Sequence, residues 1–312
     1  MTLKVGVIGL GGMGSNHARV YNQMPDVELV GLCDVNKGRV EELSKLYKAK
    51  AFTDYNKLLK EDLDAVNIVV PTVNHKELAL ASFDAGVDVL LEKPIADTVE
   101  NGMEITKAAE KKGVTLQIGH IERFNPAVRA LKQRVADGLM GDIVSMSSKR
   151  VGPHNPRIRD VGVTIDLAVH DIDIMCDLIG QRVKQIFASS GKVIHERSDW
   201  AMIHMTFESG AAGVIDTNWL TPFKVRELTV VGTKGFAVVK YMDETLILHD
   251  GRAKITYQEA EQEPLRNELE YFIECIKNKK KPEIDGYVGC RALKLALAAV
   301  ESASKETAIE LD

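Results

Sequence analysis

The apolar run Val5-Gly6-Val7-Ile8 passes without a break into Gly9-Leu10-Gly11-Gly12-Met13-Gly14, and no other feature constrains the fold as much. A short apolar run followed by glycines in this spacing asks for a strand, a tight turn and a helix. Each glycine meets a separate steric need: Gly9 permits the turn, Gly11 lets the backbone approach a pyrophosphate, and Gly14 allows close helix–strand packing. Phosphates then lie at a helix N-terminus, where unsatisfied N–H groups and the helix dipole favour anions. Asp34, at the end of the strand-like segment Glu28 to Cys33, is placed for the ribose hydroxyls of a dinucleotide. A carboxylate there suits the 2′-OH of NAD and repels the 2′-phosphate of NADP, so NAD is the expected cofactor. Lys37 and Arg39 follow closely and temper that repulsion.

The pattern continues through the first 120 residues. Apolar runs at 4–8, 28–33, 65–70, 87–91 and 115–118 alternate with helix-period segments near 14–24, 36–47, 74–85 and 98–112. Such alternation predicts a doubly wound parallel sheet covered on both faces, a Rossmann-type α/β domain over 1–121. Beyond it the texture changes. A helix from Pro126 to Asp137 precedes strands near 142–151, 183–194, 200–207, 211–219, 225–231 and 235–248, with a helical stretch at 162–179 among them. Helices at 265–277 and 287–304 close the chain. This predicts a second, α+β domain over 122–312 with an open, mostly antiparallel sheet, the helix at 287–304 packing back on the first domain. An open sheet has a face to bury, which points to a homodimer or homotetramer.

Composition narrows the function classes. A net charge of −5 with interleaved signs gives no basic footprint for nucleic acid. Cys33, Cys176, Cys275 and Cys290 lie far apart with no CxxC pair, which argues against zinc and disulfides and for a reducing compartment. Cys33 reads as a small core residue rather than a functional thiol. No apolar run nears the roughly 20 residues that span a bilayer, and no signal-peptide pattern opens the chain. A cytoplasmic protein is expected.

Two further constellations carry chemistry. Glu92-Lys93-Pro94 follows the apolar run Val87 to Leu91, which places a lysine at the carboxyl end of a strand, where ligands bind in such sheets. Asp166 and His170 stand i, i+4 on a helix whose apolar stripe is Ile165, Ala168, Val169, Ile172, Met175 and Ile179. By themselves these two, with Asp173 and Asp177, also fit an ordinary solvated acidic face. No set with metal-ligand spacing accompanies them, so no metal is expected.

In order, Gly9-x-Gly11-x-x-Gly14, Val70-Pro71-Thr72-x-x-His75, Glu92-Lys93-Pro94 and Asp166-x-x-x-His170-Asp171 resemble the glucose–fructose oxidoreductase and inositol dehydrogenase family (Gfo/Idh/MocA). The tail from Asp285-Gly286 to Ser302 is similar to that family's closing helix. The resemblance implies an oxidoreductase acting on a sugar hydroxyl, with Lys93 on the nicotinamide ribose and the substrate hydroxyl. His170 is implied as general base and Asp166 as the group that orients it. Those roles are chemically sensible: an imidazole titrates near neutrality, and an ammonium favours a developing alkoxide. The resemblance also puts Gly12, Met13, Pro71, Thr72, His75 and Glu92 on the cofactor side; Glu92 pairing with a cation, or His75 capping its helix, are the plainer readings.

The family's substrates range over inositols, hexoses, sugar acids and nucleotide sugars. Gly119-His120-Ile121-Glu122-Arg123-Phe124-Asn125-Pro126 is similar to the members that oxidise UDP-N-acetylglucosamine at C3. The basic segment Lys149-Arg150, His154, Arg157 and Arg159 is suited to a pyrophosphate, because arginine pairs phosphate bidentately. Rim or subunit contacts are the competing reading there, and Arg123 is equally suited to hold the two domains together. The expected activity is therefore NAD-dependent oxidation of a sugar nucleotide to a 3-keto product, which an aminotransferase then aminates. Oxidation of a free polyol such as an inositol, a non-catalytic NAD-binding sensor, and hydrolysis through transient oxidation with tightly held NAD stay open.

Overall fold

Each apolar run of the first 120 residues becomes a strand of one parallel sheet. The computed structural model describes residues 2–154, 161–249, 251, 253–258 and 263–311. Its first elements are β1 (Leu3–Ile8), α1 (Gly12–Gln23), β2 (Val27–Cys33), α2 (Lys37–Tyr47), β3 (Lys50–Phe52), α3 (Tyr55–Leu58) and β4 (Ala65–Ile68). A 3-10 turn at Thr72–Asn74 leads to α4 (His75–Asp84), β5 (Asp88–Glu92), α5 (Val99–Lys112) and β6 (Leu116–Gly119). The strand order is β3-β2-β1-β4-β5-β6, with all neighbours parallel. The order in which strands are added therefore reverses between β1 and β4, the switch point at which such sheets bind ligands. β4 is buried along its whole length, as a strand covered by helices on both faces must be. Local chemistry ends the helices: the Thr98 hydroxyl accepts from Asn101 N, and Gly113 closes α5 at φ 68°. β3, only three residues long, is too short to show any period.

The rest of the chain supplies α6 (Pro126–Ala136), β7 (Ile143–Pro153), a π-helical turn (Thr164–Ala168), α7 (Val169–Ile179), β8 (Val183–Gly191), β9 (Trp200–Phe207) and β10 (Ala212–Asn218). Then come β11 (Leu220–Gly232), β12 (Phe236–Lys240), β13 (Thr245–His249), β14 (Lys254–Gln258), α8 (Pro264–Asn278), α9 (Gly286–Lys305) and β15 (Ile309–Glu310). The strands form one sheet in the order β14-β13-β12-β11-β7-β10-β9-β8-β15. Only the β7–β10 pair is parallel, so the sheet is mixed and mostly antiparallel. The expected single strand over 235–248 is a hairpin, β12 and β13, which turns at 241–244 with Glu244 at φ 50°. Along β9, Ala201, Ile203, Met205 and Phe207 point into a core shared with α6, α7 and Ala292 to Ala299 of α9, while Met202 and His204 face outward.

The chain divides into two units, residues 1–121 with Leu265–Arg291, and Glu122–Pro264 with Ala292–Asp312. The sequence reading put all of 122–312 in the second domain. Leu265, Leu269, Phe272 and Ile273 of α8 pack instead into the core of the first unit, with Val5, Val7, Tyr21 and Leu90. Among the described residues, no helix is long and apolar enough to cross a membrane.

Candidate active site

In the first unit the glycine loop behaves as its spacing predicts. Gly9 sits at φ +91°, and a Cβ there would lie 2.1 Å from Val69 O. A Cβ on Gly14 would lie 1.9 Å from Gly9 O, so only glycine lets α1 lean on the loop. A Cβ on Gly11 meets nothing within 4 Å, so the loop's backbone is open to an approaching group at that point. Gly11 is also the N-cap of α1 and supplies no capping side chain, which leaves the helix's first N–H groups to an anion. Gly12 is exposed and Met13 half-buried in the same turn, with Pro71 and Thr72 at the mouth of the next loop, after β4. These residues fit a dinucleotide.

Asp34 stands where β2 ends. Its carboxylate accepts Leu10 N at 2.6 Å and Asn36 N at 2.8 Å, so it also fastens the glycine loop. Arg39 reaches the same loop, donating to Leu10 O at 3.2 Å and to Ser15 Oγ at 2.8 Å. Neighbouring Cys33 is buried, and burial followed by the Asp34 charge pushes its thiol up to about 12. It is an inert core residue.

Lys93 lies just past the end of β5, in a turn with a cis Lys93–Pro94 peptide. Two residues expected on the cofactor side also bond within the protein. His75 is buried, with Nδ1 2.9 Å from Pro94 O and Nε2 3.0 Å from Val70 O. It lies between the loop after β4 and the Lys93 turn, and its neutral ring donates to one of the two carbonyls. Burial pushes its imidazole below the ordinary value, against the pull of the Val70 carbonyl and the Glu92 charge. Glu92 turns inward as well: Oε2 accepts Lys93 N at 3.1 Å, and Oε1 lies 3.3 Å from His17 Nε2.

A polar chain that the sequence reading missed stands behind Glu92. Tyr21 Oη donates to Asn67 Oδ1 at 2.8 Å, and Asn67 Nδ2 donates to His17 Nδ1 at 2.7 Å. His17 therefore carries its proton on Nε2, toward Glu92. Burial opposes ionisation of Glu92, yet His17 and Lys93 hold its carboxyl below the usual range. The available signals were Asn67 inside an otherwise apolar strand run and the His17/Tyr21 pair at i, i+4.

In the second unit, Asp166 lies in the π-helical turn and His170 in the first turn of α7. The Val169 N–H reaches back five residues to Thr164 O, a widened turn of the kind that recurs at functional sites. Both side chains are half-buried. Other parts of the expected polar surface are buried and paired. Arg150 bonds Asp171 Oδ2 and Glu122 Oε1, each at 2.6 Å, and lies over the Tyr241 ring at 4.8 Å. Arg123 forks onto both oxygens of Asp173 at 2.6 Å and bonds Asp177 at 2.7 Å.

Burial alone would lower both guanidiniums, but the carboxylates at each raise them, so they stay charged. Arg123 and Arg150 thus anchor α7 within this unit. The acidic face of α7 is in part a buried ion-pair face rather than a solvated one. His154 stacks on His195 with ring centroids 3.9 Å apart, beside Trp219. Arg157 and Arg159, expected at a pyrophosphate, lie outside the described residues.

Known proteins match along both units. Residues 3–120 match the oxidoreductase family with an NAD-binding Rossmann fold, and residues 128–238 match the GFO/IDH/MocA C-terminal domain. UDP-N-acetylglucosamine 3-dehydrogenase of Acidithiobacillus ferrooxidans is 29% identical over 305 residues, covering 95% of each chain. Its solved structure covers 98% of this chain and 99% of its own, with a TM-score of 0.92 and 28% identity. Myo-inositol 2-dehydrogenase of Thermotoga maritima is 27% identical over 332 residues, covering 99% of each chain. A levoglucosan dehydrogenase solved with NADH shares the fold, with a TM-score of 0.92 at 22% identity and full coverage of both chains.

Proposed function

Because the chain belongs to the GFO/IDH/MocA family of NAD-dependent sugar and polyol dehydrogenases, we propose that it oxidises the C3 hydroxyl of UDP-N-acetylglucosamine to a ketone. The observation that carries this reading is the end-to-end match to the Acidithiobacillus ferrooxidans enzyme in both sequence and structure. In this reading the glycine loop and the N-terminus of α1 hold the cofactor pyrophosphate, and Asp34 holds the adenosine ribose. NAD, when bound, supplies the hydride acceptor. Lys93 presents its ammonium to the hydroxyl oxygen and favours the alkoxide that develops there. His170 takes the hydroxyl proton on its imidazole, and Asp166 orients that ring.

The exposed Phe187, Met202, Val231 and Phe236 of the second unit's sheet support self-association through that sheet. An aminotransferase that consumes the 3-keto product is the functional partner this chemistry calls for. The similarity to myo-inositol 2-dehydrogenase favours a second reading, oxidation of a free polyol.

Nicotinamide absorbance separates the two. The protein is mixed with NAD and a carbonyl trap, and given UDP-N-acetylglucosamine, free N-acetylglucosamine or myo-inositol. Reduction only with the nucleotide sugar is the expected result. Reduction with a free polyol, or none with the nucleotide sugar, discards the proposed substrate.

A further inference from the structure

Glu268 of α8 has no part in the chemistry above, yet it is fully buried. It shares the first unit's core with Leu265, Leu269, Phe272 and Leu90, and Gln117 Nε2 approaches its backbone carbonyl at 3.5 Å. Neither carboxyl oxygen of Glu268 has a hydrogen-bond partner among the described residues. Gln117 pairs with Leu90 across β6 and β5, and two residues along, Gly119 pairs with Glu92. A Cβ on Gly119 would come within 3.1 Å of Glu92 Cδ, so glycine leaves room for the Glu92 carboxylate on this face of the sheet. Two buried carboxyl groups therefore face one core.

The charged and titratable groups around them are His17 and Tyr21 from α1, and Glu92 and Lys93 from the end of β5; Asn67 of β4 and Gln117 of β6 are neutral. Glu92 already takes the His17 Nε2 side and the Lys93 N–H. The Lys93 charge also acts on Glu92, whereas Glu268 has no ion-pair partner among the described residues, and an unpaired buried charge is costly enough that the group stays protonated instead.

We propose that Glu268 is a positioning residue for the Lys93 turn: it remains a neutral acid, so that Glu92 is the one carboxylate facing His17, and its ionisation unseats Glu92. Burial, then the Glu92 charge, push the Glu268 carboxyl well above its ordinary range, in agreement with the geometry. Loss of the Glu268 proton puts like charges in one dry space. Glu92 is repelled, its hold on the Lys93 N–H weakens, and the cofactor site loses its fixed edge. The two carboxyls titrate as a pair, with one proton between them. This inference rests on NAD binding and is independent of which sugar is oxidised.

Two measurements on the whole protein test it. Infrared difference spectra of wild type against Glu268→Gln, without ligand at neutral pH, should show loss of a neutral carboxylic acid C=O band. If no such band is lost, Glu268 is ionised and the proposal fails. Calorimetric titration with NAD across pH gives the second readout. Wild-type affinity should fall on the alkaline side, and in Glu268→Gln that fall should move up by about one pH unit or more. Glu268→Met removes the same proton by another route and should move the fall equally, which guards against a folding defect in either variant. An alkaline limb left in place by both variants assigns it to Lys93 itself and overturns the proposal.

Discussion

In the second unit, the buried Arg150 meets Asp171 and Glu122, and the buried Arg123 meets Asp173 and Asp177. In the first unit, the equally buried Glu268 has no ion-pair partner among the described residues, and Glu92 faces the imidazole of His17. Both regions hold ionisable groups close in sequence or space to the residues expected to do the chemistry. The difference lies in pairing. A guanidinium clasped by carboxylates keeps its charge at any working pH, so the second unit's buried polar groups act as fixed scaffolding for α7. A carboxyl without a partner answers to pH, so the first unit's buried polar groups can change state.

The strongest way to break this comparison is Arg150→Met. It leaves Asp171 and Glu122 facing each other without their cation, and should cost about 3–5 kcal/mol of stability, read as a large drop in Tm. A loss under about 1 kcal/mol would mean the pair is not scaffolding.

The same kind of replacement in the first unit should act in the opposite direction. Glu268→Met removes an unsatisfied buried polar group and should stabilise the protein by more than about 3 kcal/mol at pH 8, since linkage adds about 1.4 kcal/mol for each pH unit above about 4.3. The sign with pH follows from linkage. Glu268 is neutral in the fold, whereas in the unfolded chain it ionises above about pH 4.3. The unfolded state therefore binds fewer protons, and wild-type stability falls as pH rises from there toward the raised folded value. The advantage of Glu268→Met should accordingly be largest at alkaline pH and shrink toward pH 4. Denaturant melts of both proteins at several pH values check it, and a constant difference refutes the neutral acid.

The smallest effect sharpens the contrast between buried and exposed pairs. Arg182 and Glu208 pair at 2.7 Å on the surface of the second unit, with most of the Arg182 side chain in water. Arg182→Ala should change stability by no more than about 1 kcal/mol, and less in high salt.

Legibility in the sequence followed the range of each interaction. The glycine loop could be read because its demands are steric and lie within six residues, and a Cβ at Gly9 or Gly14 would clash with backbone as expected. The parallel sheet was readable from period alone. The bonds that His75 and Glu92 make within the protein were not legible, because a motif gives a residue's position along the chain and not the direction of its side chain. Arg123 and Arg150 looked like ligand-binding cations because their carboxylates lie about 21 to 54 residues away, where no local pattern marks them. Glu268 did leave a trace, a charge among Leu265, Leu269 and Phe272 on one stripe of α8.

The sequence by itself determined the two-part architecture, the dinucleotide loop and the family, since glycine spacing and hydrophobic period act over a few residues of continuous chain. Tertiary structure alone decided that α8 joins the first unit's core, that the arginines before α7 serve as anchors, and that Glu92 shares a buried space with Glu268. The physical reason is that burial and charge pairing are properties of surroundings. Those surroundings exist only after distant elements have packed, and the same carboxylate is a surface charge or a neutral acid according to what encloses it.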